Sequence, residues 1–365
     1  MSEWQTFCLK DLGKIVGGAT PPTNNPKNYG NKIAWITPKD LSTLQGRYIK
    51  KGSRSISRLG FKSCSCVLLP KHAILFSSRA PIGYVAIAEK RLCTNQGFKS
   101  IIPNKKIYFE FLYYLLKYHK DNISNIGGGT TFKEVSGATL GLFQVKIPPT
   151  YYEQQKIART LSILDQKIEN NHKINELLHN FAYKIYEYYF KYKPKNAKLE
   201  QIIIENPKSS IMVKNAQKTQ DKYPFFTSGD NTLSYPKAII DGRNCFLNTG
   251  GNAGIKFYVG KASYSTDTWC IGANEFSDYL YLLLLSIKTH INQSFFQGTS
   301  LKHLQKNLLK KYPIYMPSAH EIKKFNQIIM PLLTLISINT RTSKKLEQIR
   351  DFLLPLLLKQ QVKPQ

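Results

Sequence analysis

Short polar clusters carry the side chains best suited to chemistry in this 365-residue chain. Ser77-Ser78-Arg79 offers two hydroxyls and a guanidinium. An arginine fork takes the O6 and N7 edge of guanine, and serine suits phosphate or base edges. Asn95 and Gln96, inside Thr94-Asn95-Gln96-Gly97, supply amides of the kind that pair with adenine. Similar loops hold Thr227 and Ser228, then Asn248 and Asn252, then Thr266 and Thr268. Thr20, in the turn Gly17-Gly18-Ala19-Thr20-Pro21-Pro22-Thr23, is counted with them. Thr130, Thr131 and Lys133, and likewise Thr299, Ser300 and Lys302, suit contacts that position a phosphate backbone. Each cluster is also the composition of an ordinary polar turn, and the threonines suit helix N-caps.

Catalytic and metal chemistry find no matching spacing. Gly250-Gly251-Asn252-Ala253-Gly254-Ile255-Lys256 lacks the second glycine before lysine, and the following hydroxyl, of a phosphate-binding loop. Asn206-Pro207-Lys208 is not an adenine-methyltransferase motif, and no HExxH or GxSxG occurs. Seven scattered histidines and six cysteines, of which only Cys64 and Cys66 are close, indicate neither a zinc site nor a disulfide framework. The expectation is therefore no catalytic residue, no metal ligand and no cofactor in this chain. The first residues, Met1 to Lys10, lack an apolar signal region, and the run Leu280 to Leu285 is too short to span a bilayer. A reducing cytoplasm and no membrane partner are expected.

Net charge narrows the partner. Lys and Arg number 52 against 23 Asp and Glu, a formal +29. Such a field attracts a polyanion. It also fits an acidic protein, an anionic membrane surface or a plain solvated basic exterior. Residues 1–150 carry +15 and residues 196–317 carry +6, so the excess belongs to the body rather than to a tail. That distribution favours double-stranded DNA.

The elements that must position these clusters are written twice. Gly128-Gly129-Thr130-Thr131-Phe132-Lys133 recurs as Gln297-Gly298-Thr299-Ser300-Leu301-Lys302, an offset of 169 residues. An apolar helix precedes each copy, Tyr108 to Tyr118 and Tyr279 to Ile287. A strand-like run and a proline follow each, Phe143 to Ile147 with Pro148, and Tyr312 to Met316 with Pro317. Further strand candidates are 33–36, 66–69, 73–76 and 83–87, then 201–204, 238–240, 245–247 and 255–259. Each copy ends in a long helical pattern, 152–190 and 319–358, with apolar residues at 3-4 spacing. Asn171, Asn175, Asn339 and Ser343 lie on those stripes, where polar residues fix register between partner helices. The reading is α+β: globular region 1–150, long helix and linker 151–195, globular region 196–317, long helix 318–365. The two helices, about 60 Å each, are expected to pack as an antiparallel coiled coil with pseudo-two-fold symmetry. Pro331 is expected to kink or interrupt the second.

The order of motifs resembles the specificity subunit of type I restriction-modification systems. The resemblance rests on Leu12-Gly13-Lys14-Ile15, Gly18-Ala19-Thr20-Pro21-Pro22, Ile33-Ala34-Trp35-Ile36 and Asp40-Leu41. It continues through Gly129-Thr130-Thr131, Ile147-Pro148-Pro149, Glu153-Gln154-Gln155-Lys156-Ile157-Ala158 and Leu164-Asp165. In the second half, Tyr223-Pro224-Phe225-Phe226-Thr227-Ser228-Gly229 resembles the start of another recognition-domain subtype. The resemblance implies two tandem α/β target-recognition domains, each reading one half of a split, asymmetric target. It implies helices that space the halves and dock two methyltransferase subunits. Those subunits bind S-adenosylmethionine and methylate a flipped adenine. Restriction subunits add translocation and cleavage that depend on ATP and Mg²⁺, none of which this chain would bind. The second half lacks the Thr20-Pro21-Pro22-type turn and the Trp35 segment, so the two domains should read different half-sites. Two other readings are a recognition subunit of a type II-like restriction enzyme and a non-enzymatic helical adaptor with basic domains.

Overall fold

The structure, a computed structural model, describes residues 3–79, 81–128, 133–216 and 222–364. It divides into two compact units, Met1–Asn170 with Ser343–Gln365, and Asn171–Thr342. Both dividing points fall inside the long helices. The four segments drawn from sequence therefore regroup, and each unit holds one globular region plus part of each helix.

The first unit contains β1 (Gln5–Cys8), β2 (Gly13–Gly17), β3 (Tyr29–Ile36), β4 (Tyr48–Ile49), β5 (Arg54–Ile56), β6 (Ile74–Ser78), β7 (Ile82–Ala88), β8 (Cys93–Thr94), β9 (Lys99–Pro103) and β10 (Gln144–Ile147). One sheet has the order β2-β9-β6-β7-β4 and a second β5-β3-β8, while β1 pairs with β10. All five residues of β6 are buried. The helix Phe109–Asn125 packs near that sheet and buries every residue from Phe111 to Leu116. A helix apolar around its whole circumference has to be covered on every side.

The second unit follows the same plan. It contains β11 (Ala197–Lys198), β12 (Ile204–Glu205), β13 (Tyr223–Phe226), β14 (Leu233–Tyr235), β15 (Arg243–Asn248), β16 (Ile255–Val259), β17 (Ser263–Tyr264), β18 (Thr268–Gly272), β19 (Phe296–Gln297), β20 (His303–Leu304) and β21 (Pro313–Ile314). Its sheets run β12-β18-β15-β16 and β14-β13-β17, with β11 paired to β21. β3 is antiparallel to β5 and parallel to β8; β13 is antiparallel to β14 and parallel to β17. The buried helix here is Ser277–Ser286. The duplication is thus a duplicated topology, strand for strand in both sheets except for β4.

Three strand expectations need correction. Residues 66–69 contribute only a bridge from Leu69 to Leu92, and 238–240 only one from Ile240 to Ala262. Pro70 and Pro236 flank these segments and donate no N–H to a ladder. Residues 201–204 open as a short 3₁₀ turn, Leu199–Gln201, and become strand only at Ile204.

The long helices are Tyr151–Tyr186, extended by a π turn at Glu187–Lys191, and Ala319–Leu358. The second stays helical through Pro331 and Pro355, so Pro331 does not interrupt it. Within the second unit the two helices run antiparallel. Asn339 Nδ2 donates to Asn175 Oδ1 at 2.9 Å, and the Phe190 and Phe325 rings lie 4.9 Å apart. Within the first unit, Arg350 Nη1 donates to Asp165 Oδ1 at 2.6 Å, and Leu354, Leu357 and Leu358 share a core with Ile157, Ala158 and Leu161.

One arginine, buried in the first unit and half-buried in the second, pins each globular region to a long helix. Arg47 reaches Glu110 at 2.9 Å and Glu169 at 3.1 Å. Arg243 holds Asp278 with both ends of its fork and donates to Thr334 Oγ1 at 2.9 Å. Glu110 and Asp278 are both the second residue of their buried helix. Among the described residues no helix is long and apolar enough to cross a membrane.

Candidate nucleic-acid interface

In the second unit the loops that follow β13, β15 and β17 close on one another. Lys256, on β16, ties the first two together. Its Nζ donates to Thr227 O at 2.8 Å, Gly229 O at 2.6 Å and Asn248 Oδ1 at 3.2 Å. Burial holds this ammonium below the ordinary lysine value, with Asp230 opposing the shift. Ser228 donates its hydroxyl to Asp267 O and accepts from Thr249 N at 3.0 Å. Thr268 Oγ1 donates to Phe226 O at 3.2 Å. The hairpin of β19 and β20 joins the group, because Gly251 N donates to Lys302 O at 2.9 Å. Gly298 sits in that hairpin at φ +140°, where an added Cβ would meet Leu301 O at 2.4 Å. Only glycine fits there.

The first unit builds its counterpart from the loops after β2, β6 and β8. Thr20 donates its hydroxyl to Gln96 Oε1. Gly18 lies so close to the Thr94 and Asn95 carbonyls that a Cβ would sit 2.0 Å from Asn95 O. Ser78 N donates to Gly97 O at 2.8 Å, and Val135 N to Ser78 O at 3.0 Å. Arg79 lies 3.5 Å from Glu134, whose other carboxylate oxygen accepts from Lys99 at 3.1 Å.

The expected contacts therefore separate into two kinds. Gln96, Lys133, Asn252, Thr299, Ser300 and Lys302 are exposed, and Thr20, Arg79, Asn95, Ser228 and Thr266 are half-buried. These can meet a ligand. Ser77 and Ser78 are fully buried. Ser77 Oγ donates to Pro81 O and accepts from Tyr84 N, both at 2.8 Å. Thr227, Asn248 and Thr268 are also buried. Their polar atoms answer the loop's own backbone, so they shape the surface and present little to solvent. Thr130 and Thr131 lie outside the described residues.

Sequence reasoning passed over Lys99, Glu134 and Ser265, and met Lys256 only in a rejected phosphate-loop spacing. Ser265 N donates to Phe226 O as Asn95 N donates to Ile36 O, which makes Ser265 and Asn95 counterparts. Glu134 and His303 carried a visible signal: they stand 169 residues apart, directly after Lys133 and Lys302.

The model of the type I restriction modification DNA specificity domain matches residues 1–180 and again 195–348. The chain belongs to that family. The chain is similar to the type I restriction enzyme MjaIX specificity subunit of Methanocaldococcus jannaschii, with 33% identity, covering 98% of this chain and 93% of that one. It is also similar to the HindI specificity subunit of Haemophilus influenzae, 30% identical over 46% of this chain and 37% of the relative. The crystal structure of the type I restriction-modification system S subunit from M. genitalium shares the fold, with TM-score 0.64 and 17% identity over 98% and 96% of the two chains. As a type I specificity subunit, the chain has its two matched domains where the structure has its two repeated topologies.

Proposed function

We propose that this specificity subunit reads a bipartite, asymmetric duplex DNA target, one half-site per unit, and directs partner enzymes to it without catalysing a reaction itself. The observation that carries this is one topology bearing two different loop sets. Where the first unit presents Gln96, the second presents Thr266, each directly after the equivalent pair Asn95 and Ser265. Equivalent frames with unlike side chains read unlike sequences.

The loops supply hydrogen-bond donors and acceptors held by a rigid support, which suits recognition. Methylation would belong to two methyltransferase subunits holding S-adenosylmethionine. Cleavage would belong to restriction subunits using ATP and Mg²⁺. The site of action is the cytoplasm, where the duplex and these partners meet. A positive body of this size makes binding steeply salt-dependent.

Methylome sequencing with and without the gene tests the proposal. The expected result is a bipartite methyladenine motif that disappears on deletion. An unchanged methylome removes the reading.

A further inference from the structure

Glu134 is an acid placed on a surface expected to meet a polyanion. Its backbone is fixed on both sides. Gly128 N donates to Glu134 O at 3.1 Å, Glu134 N to Gly128 O at 2.9 Å, and the next residue, Val135, is fully buried. The carboxylate is therefore held where it is, and it meets two cations, Lys99 at 3.1 Å and Arg79 at 3.5 Å. The Arg79 side chain is 37% exposed and that of Glu134 35%. An ion pair this open is weak and screened by salt, so a better partner can take the guanidinium away.

The second unit differs at this point. Gln297 pairs with His303 as Gly128 pairs with Glu134, each position 169 residues after its counterpart. The pairing is repeated in the second unit while the carboxylate is replaced by an imidazole.

We propose that Glu134 is a specificity-determining residue of the first unit: it occupies Arg79 in the free protein and repels the backbone of non-target duplex. The inference rests on the DNA-reading function proposed above. A phosphate can also take Arg79 in a fork, but it brings a second negative charge beside Glu134. A guanine edge takes both arms of the fork with no net charge of its own, so it displaces Glu134 without that repulsion. Lys99 remains on Glu134 and keeps the carboxylate paired after Arg79 leaves. Discrimination then comes from penalising the wrong partner as well as from holding the right one.

The test uses the full chain and two probes, a duplex carrying the motif found by methylome sequencing and a random-sequence duplex. Glu134→Gln should bind the random duplex roughly fivefold tighter, with affinity for the motif duplex nearly unchanged. In an Arg79→Met background the same substitution should have little effect on either duplex. Equal tightening with and without Arg79 would mean a general charge effect and overturn the proposal. A loss confined to the motif duplex would overturn it too, by making Glu134 itself a base reader. Lys99→Met, which removes no bond of the Gly128–Glu134 bridge, should loosen the carboxylate and tilt discrimination further toward the motif. If the unmodified chain shows no preference for the motif duplex, the DNA-reading function fails. If that preference stands and Glu134→Gln binds both probes as before, only the role of Glu134 fails.

Discussion

Lys256 is a partly buried charge whose bonds hold two loops of the candidate interface together. Three acceptors on two loops consume its three donors, and burial further disfavours a free ammonium there. Replacing it with Met strands three acceptors and unties the loops around Thr227 and Asn248. Lys256→Met should cost about 1–3 kcal/mol of unfolding free energy, measured by urea denaturation. The methylome of the variant should show degeneracy in one half of the motif only. Equal degeneracy in both halves would assign Lys256 to general backbone binding. The contrast with Arg79 is one of surroundings. Among the described residues Arg79 has one ion-pair partner, itself partly exposed, and is the side chain proposed to pass to DNA, whereas the Lys256 bonds are part of the fold.

At the scale of elements, both long helices start with the same device. Thr150 and Glu153 form a reciprocal cap, with Thr150 Oγ1 donating to Glu153 at 3.0 Å and Glu153 N to Thr150 Oγ1 at 3.2 Å. Ser318 and Glu321 repeat it, with Ser318 N donating to the carboxylate at 2.9 Å. Such boxes satisfy N–H groups that a helix start leaves unpaired. The Glu321 carboxyl is held below its ordinary value of 4.5, first by the Ser318 N–H and then by the Tyr315 hydroxyl. A carboxyl whose folded value is depressed gives stability that is present above its unfolded value and lost as pH falls through the folded one. The advantage of the natural chain over Glu321→Gln should therefore be full at pH 6 and shrink below about pH 4.5. Ser318→Ala should cost about 1 kcal/mol. Chemical denaturation at pH 6 and pH 3.5 measures both; a Glu321 advantage that does not change with pH would exclude the capping role.

For the whole molecule, the main consequence is that the C-terminal segment belongs to the N-terminal unit. Ser343–Gln365 clusters with Met1–Asn170, and Leu354, Leu357 and Leu358 lie in that core. Arg350 pairs with Asp165, which also accepts from the Tyr114 hydroxyl at 2.6 Å. Removing residues 343–365 should therefore destabilise the first globular region, hundreds of positions upstream. The milder Arg350→Met leaves Asp165 buried without its cation, a loss of about 3–5 kcal/mol. Limited proteolysis with mass spectrometry locates the effect: new cleavage should appear first within residues 1–170. First cleavage within 171–342 would contradict this assignment of the C-terminal segment.

Local rules made much of this chain legible from its sequence. The 169-residue repeat, the two apolar helices and the long amphipathic stripes are set by periodicity and neighbouring residues, and the duplicated topology follows them. The tertiary structure decided what depends on distant partners. Ser77 and Arg79 are two positions apart, yet one is sealed inside by its own loop and the other reaches Glu134 at the surface. Lys256 finds Thr227 O 29 positions away, and Arg350 finds Asp165 185 positions away. Side-chain type alone does not predict such closures, because burial and pairing are settled by which backbones the sheets bring together.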